Sequence, residues 1–152
     1  MIRFGTLIKK IMKVELEKII TVSGKPGLYK VISGGKNVVI AESLMDGQRH
    51  PIHSSQKVST LSDISMFTTE EDIALREVFE NAKTVFNGEA GPSHKSSGKE
   101  IREAMLKVLP NYDQERVYES DLKKFFQWYN LLQSKSMLDF AVPEETPEQD
   151  GE

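Results

Sequence analysis

The 152-residue sequence has no cysteine. That absence excludes a disulfide framework, a thiolate nucleophile and any cysteine-ligated zinc or iron–sulfur site. Aromatic residues are scarce at 8%, with a single tryptophan, Trp128. Repeated stacking platforms of the kind that line single-stranded nucleic-acid grooves are therefore in short supply. No apolar run approaches the roughly 18 residues that cross a bilayer as a helix. The uncharged stretch Phe4–Ile8 is also too short for a signal-peptide core, and no small-residue cleavage site follows it. We expect a cytoplasmic protein. Met12 is as good a candidate for the natural start as Met1, and residues 1–13 are expected to form a disordered extension.

What is present describes a globular chain, 38% hydrophobic and 28% charged. The net charge of −3 conceals an asymmetry: residues 1–68 carry 10 basic against 5 acidic side chains, and residues 69–152 carry 10 against 18. Five of those acids lie in the tail "PEETPEQDGE". The tail, residues 141–152, has the composition of a disordered segment.

Turn chemistry recurs from Lys25 onward. Pro26-Gly27 suits the centre of a type II turn, while Gly34-Gly35 and Asp46-Gly47 suit two-residue hairpin loops. Between them, "LYKVIS" and "NVVIAESL" are rich in β-branched residues, as strands are. "RHPIHS" reads as an edge strand, because Pro51 cannot donate to a ladder. "KVSTL" and "ISMF" are further short strands. "VELEKII" fits either a helical or an alternating period. Four or five such strands predict a small SH3-like β-barrel over residues 14–67.

At Phe67 the period changes to 3.6. Thr68 with Glu71 has capping-box spacing, and Leu75, Val78, Phe79, Ala82, Val85 and Phe86 then form one apolar stripe that Asn87-Gly88 ends. Ser97 with Glu100 predicts a second helix, up to Pro110. Leu122, Phe125, Phe126, Tyr129 and Leu132 predict a third. The intervening "NGEAGPSHKSSG" has the composition of a flexible loop. The fold class is thus α+β, with a barrel followed by a three-helix domain over residues 68–140.

The phrases "GKPGLYKV", "VVIAESLMDGQR", "KVSTLSDISMFT" and "VLPNYDQERVYESDLKKFFQWYNLL" give the chain a resemblance to an uncharacterised Bacteroidetes family, over Val14–Leu138. The resemblance implies the two-part layout and brings no activity, ligand or catalytic residue with it.

Function must therefore be sought among the residues. His50 and His53, three apart on a strand, point to opposite faces, and no acid completes a metal site. "SGKPG", "SGGKN" and "SSGKE" lack phosphate-loop spacing, and a capping box explains the last. No nucleophile elbow occurs, and carboxylate pairs such as Glu115/Glu119 and Glu100/Glu103 have the spacing of a solvated face. We expect no enzyme, no metal and no cofactor.

Lys25, Lys30, Lys36, Arg49 and Lys57 give the barrel a basic character, with Tyr29 as a candidate stacking ring. Against this, lysines also blunt exposed strand edges. Trp128 lies off the apolar stripe of the third helix beside Lys124 and Leu131, and could face the rest of the chain or a partner. The ten or so residues between helices two and three are too many for a helix-turn-helix. The expectation is a binding or adaptor module for a protein partner, with RNA or single-stranded DNA as the alternative ligand. A tail folded back on the basic barrel is a third arrangement that charge allows.

Overall fold

Turns set the layout of the first half. The computed structural model describes residues 14–140, so the readings for the N-terminal extension and the acidic tail lie outside the described residues. Five strands, β1 (Ile19–Val22), β2 (Tyr29–Gly34), β3 (Val38–Ser43), β4 (Arg49–His53) and β5 (Val58–Thr60), form one antiparallel sheet in the order β4-β3-β2-β1-β5. "VELEKII" takes both of its readings in turn, a 3-10 turn over Leu16–Lys18 and then β1. Pro51 does sit on an edge strand. Among the described residues no ladder joins β4 to β5, so the sheet is not closed into a barrel. The edges are poor pairing partners: β5 has three residues, and Pro51 removes a donor from β4.

Gly27 takes φ +82° and is buried, with the Met45 side chain occupying the place of a Cβ. Asp46-Gly47 lies in the β3–β4 turn, but the loop has four residues rather than two: Ser43 N donates to Gln48 O at 2.8 Å, and Gly47, with φ +77°, donates its N–H to Ser43 O at 2.8 Å. The middle hairpin turns two residues later than the glycine pair suggests. Gly35 N–H donates to Val38 O at 2.8 Å, which leaves Lys36 and Asn37 as the loop. A bulge between Val31 and Ser33 puts one extra residue into β2 and bends the strand.

The second half begins with β6 (Ser65–Met66) and β7 (Ile73–Ala74), a two-stranded pair, and continues as α1 (Leu75–Val85), α2 (Gly98–Val108) and α3 (Glu119–Ser134). The first helix thus starts seven residues after the predicted cap. Thr68 is buried and its hydroxyl closes a turn instead, accepting from Glu70 N at 3.0 Å and donating to Glu71 O. A threonine two or three residues before available N–H and C=O groups satisfies turn and cap alike, and spacing cannot separate them. The Ser97/Glu100 box forms as read, with Glu100 N donating to Ser97 Oγ at 3.2 Å.

Apolar packing does not stop where the period changes. One continuous core joins Val14, Leu16, Ile19, Leu28, Leu44 and Leu61 to the inner faces of all three helices. The opposite face of the sheet carries its own small core of Ile20, Val22, Tyr29, Ala41 and Ile52. The "NGEAGPSHKSSG" segment is fastened rather than loose: Gly91 N donates to Asn130 Oδ1 at 2.8 Å, Asn130 Nδ2 to Pro92 O at 2.9 Å and Tyr129 Oη to Glu89 O at 2.8 Å. Burial pushes the Tyr129 hydroxyl above its ordinary pKa, which keeps it a donor.

α1 and α3 both end in Schellman geometry, with Asn87 at φ 55° and Ser136 at φ 58° in the left-handed position. Serine is the poorer of the two there. A left-handed conformation costs a side-chain-bearing residue about 1–2 kcal/mol, and the extra chain entropy of glycine offsets roughly 0.5–1 kcal/mol of that. Ser136→Gly is expected to stabilise the fold by about 0.5 kcal/mol in urea denaturation; a loss of stability would contradict the cap assignment.

Candidate functional site

Side chains at two clefts carry most of what could bind. The first lies where β6 meets α3. Segment Phe67–Thr69 runs antiparallel to Asn111–Asp113, with Thr69 N donating to Asn111 O and Asp113 N to Phe67 O, both at 2.9 Å. Asp113 then builds a turn around its carboxylate, which accepts from Glu115 N at 3.0 Å and from Arg116 Nε at 2.8 Å. The Arg116 hydrogen bond, with the Glu115 N–H next, holds that carboxyl below its usual pKa. The same turn lays the Arg116 guanidinium over the Phe67 ring, 4.3 Å from its centroid.

Phe67, 39% exposed, and Trp128, half-buried against the core, thus line an apolar cleft of about 200 Å³ with Met66, Val117 and Phe125. Arg116, Asp121 and Lys124 also line it. Asp121 is already engaged, accepting from Tyr118 N at 2.9 Å as part of the α3 start. Among the described residues Lys124 has no ion pair. Arg116 is paired with Asp113, so Lys124 is the lining cation left free to meet a partner's charge.

The second cleft, of about 300 Å³, opens at the unpaired end of the sheet. Ile20, Val31, Val39, Ile52 and Val58 give it an apolar lining, and Lys36, Asn37, His53, Ser54 and Gln56 add polar groups. Ser54 N donates to Asn37 O at 3.0 Å and so latches the β2–β3 turn to the β4–β5 turn.

The structure does not gather the predicted basic residues into one stripe. Tyr29 and Lys30 are neighbours on a strand and project to opposite faces. Tyr29 is only 5% exposed, packed in the small core with its ring edge-on to His50 at 5.8 Å, so its reading as an open stacking platform is corrected. Lys30 and Arg49 do share a row, but Glu42 stands between them, paired in register with both. Lys25 lies in the β1–β2 turn, where its N–H donates to Val22 O at 2.9 Å, and Lys57 O accepts from Ser23 N at 2.9 Å. Lys36 is at the far end of β2 and lines the second cleft, with Lys57 between its lining residues Gln56 and Val58. Trp128 alone falls in the first cleft. The residues that sequence reasoning missed are Phe67 and Arg116. The only local signal was Asp113 placed two and three residues before Glu115 and Arg116, the spacing of an Asx turn.

No group of three or more His, Asp or Glu side chains has metal-binding geometry among the described residues. No helix among them is long and apolar enough to cross a membrane.

Two family models match the chain, a domain of unknown function (DUF5606) over residues 16–61 and another (DUF6852) over residues 64–132. The chain is also similar to a Bacteroides vulgatus protein whose solution NMR structure was a structural genomics target. The identity is 38%, covering 90% of this chain and 96% of that one, with a TM-score of 0.66. No curated protein matches.

Proposed function

The chain belongs to the Bacteroidetes family of unknown function that includes this Bacteroides vulgatus protein, and from that premise we propose a non-enzymatic, cytoplasmic adaptor that binds a protein partner at the Trp128 cleft. The observation that carries the reading is the grouping of Phe67, Arg116 and Trp128 around one apolar hollow. Tryptophan and arginine, with tyrosine, dominate the energetics of protein interfaces, because a large rigid ring or a planar cation fills a pocket at low entropic cost. The partner segment that fits has one large apolar anchor followed by an acidic residue. The anchor enters between Phe67 and Trp128, and the acid meets Lys124.

The first half is read here as an opened SH3-like barrel. The strand order β4-β3-β2-β1-β5 and the bulge that bends β2 support that reading. The nucleic-acid alternative draws less support, since Tyr29 is inside and Glu42 interrupts the Lys30–Arg49 row.

Capture from native cytoplasm by the tagged full chain, with and without nuclease, tests the proposal. Partners are expected to survive nuclease, and both Trp128→Ala and Lys124→Glu should weaken them about tenfold or more while the variants stay folded. Loss of every partner on nuclease treatment, with retention sensitive to salt and to Lys30→Glu, would point to nucleic acid instead.

A further inference from the structure

We propose that the cleft at the open end of the sheet is a binding site for a small amphipathic anion, a medium-chain carboxylate whose aliphatic body lies on the valines and isoleucines and whose head reaches Lys36. This goes beyond the adaptor reading and uses none of the Trp128 cleft. Three observations converge on it.

The first is the lining. Ile20 and Ile52, 4% and 3% exposed, form a floor continuous with the small core, while Val58 is 42% exposed. Apolar side chains open to water at a concave site gain from covering by an apolar ligand. The second is size. A volume of about 300 Å³ corresponds to roughly ten water-sized atoms at about 30 Å³ each. A saturated carboxylate of about eight carbons fills that space; a nucleotide or a folded segment exceeds it.

The third observation is charge. Lys36 and His53 line the cleft, Lys57 falls in sequence between the lining residues Gln56 and Val58 without lining it, and no aspartate or glutamate lines it. Among the described residues neither lysine forms an ion pair. Gln56 is fixed as well: its Oε1 accepts from His53 N at 2.9 Å, which leaves its amide NH2 to donate to a ligand. Donors and cations surround an apolar floor, an arrangement complementary to a carboxylate head on a hydrocarbon chain. An added peptide strand is served less well, because Pro51 interrupts the free edge of β4.

Amide chemical-shift mapping of the full chain tests the assignment, with sodium octanoate below its micelle concentration as the probe and octyltrimethylammonium and acetate as controls. Saturable shifts are expected at Lys36, Asn37, His53, Ser54, Gln56 and Val58 with octanoate, and much weaker ones with either control. Lys36 is exposed at a hairpin tip, so its variants keep the fold. Lys36→Glu should weaken octanoate about tenfold and Lys36→Gln about threefold, and Trp128→Ala should leave it unchanged. The proposal is overturned by non-saturating shifts, by equal binding of the cationic probe, by indifference to Lys36→Glu, or by shifts centred on the Trp128 cleft. Because the Trp128→Ala readouts differ, failure here leaves the adaptor reading standing, and the reverse holds.

Discussion

Truncating Leu61 to alanine is expected to cost about 3 kcal/mol, and to cost it across the sheet and the helices alike. Leu61 belongs by position to the strand-rich half. It begins the 3-10 turn Leu61–Asp63 directly after β5, and it is fully buried in the core shared with α1, α2 and α3. The turn is tied forward too, since Leu75 N at the head of α1 donates to Ile64 O at 3.0 Å. A Leu→Ala change in a close-packed interior loses the transfer energy of the side chain and leaves a cavity that its neighbours fill only in part.

Two observables distinguish one cooperative unit from two. Far-UV circular dichroism follows both halves, whereas fluorescence of Trp128, the sole tryptophan, reports on α3 alone. If the shared core makes the described region a single folding unit, the two signals unfold together in guanidinium. Leu61→Ala then moves both midpoints down by roughly 1 M, given a slope of about 3 kcal/mol per molar. Separate transitions, with the Trp128 signal unmoved, would show that the halves fold independently and that the shared packing is only a contact between them.

Leu61 also shows what the sequence can and cannot convey. The strands were legible because turn chemistry is local: Gly27 and Gly47 adopt the positive φ that only glycine takes easily, and the segments between them are rich in β-branched residues. The helix stripes were legible because Leu122, Phe125, Phe126, Tyr129 and Leu132 repeat at a helical period, and all five are buried. Long-range choices were not legible. Nothing local tells Thr68 to pair with Tyr112 across 44 residues instead of capping a helix. Nor does composition disclose that Tyr29 turns inward and Lys30 outward, since register depends on which strand pairs with which. The Trp128 cleft was half legible: the tryptophan off its stripe was visible, and the Phe67–Arg116 stack that faces it depends on a contact between segments 49 residues apart.

The α1–α2 connection is the clearest case of an expectation reversed by side chains elsewhere. Twelve residues rich in glycine, serine and proline suggest mobility. Yet Asn130 of α3 bridges two successive backbone groups of the loop, accepting from Gly91 N and donating to Pro92 O. Gly91 is also pressed between Phe86 and Phe126, close enough that a Cβ there would lie 3.0 Å from the Phe86 ring. Asn130→Ala leaves a partly buried donor and acceptor unpaired and is expected to cost about 2–3 kcal/mol, at roughly 1–1.5 kcal/mol for each group. Asn130→Asp, which keeps the acceptor for Gly91 N and loses the donor for Pro92 O, should fall between the two.

Hydrogen exchange at the Gly91 amide gives the local reading: strong protection in the parent chain, and fast exchange with easier proteolysis near Gly88–Ser97 in Asn130→Ala. If the loop behaved as its composition suggests, Asn130→Ala would change stability by less than about 0.5 kcal/mol, as ordinary surface substitutions do, and the Gly91 amide would exchange freely in both chains. Tyr129→Phe separates a second strap from this one. It removes only the hydroxyl bond to Glu89 O, and should cost about 1 kcal/mol while leaving Gly91 protected.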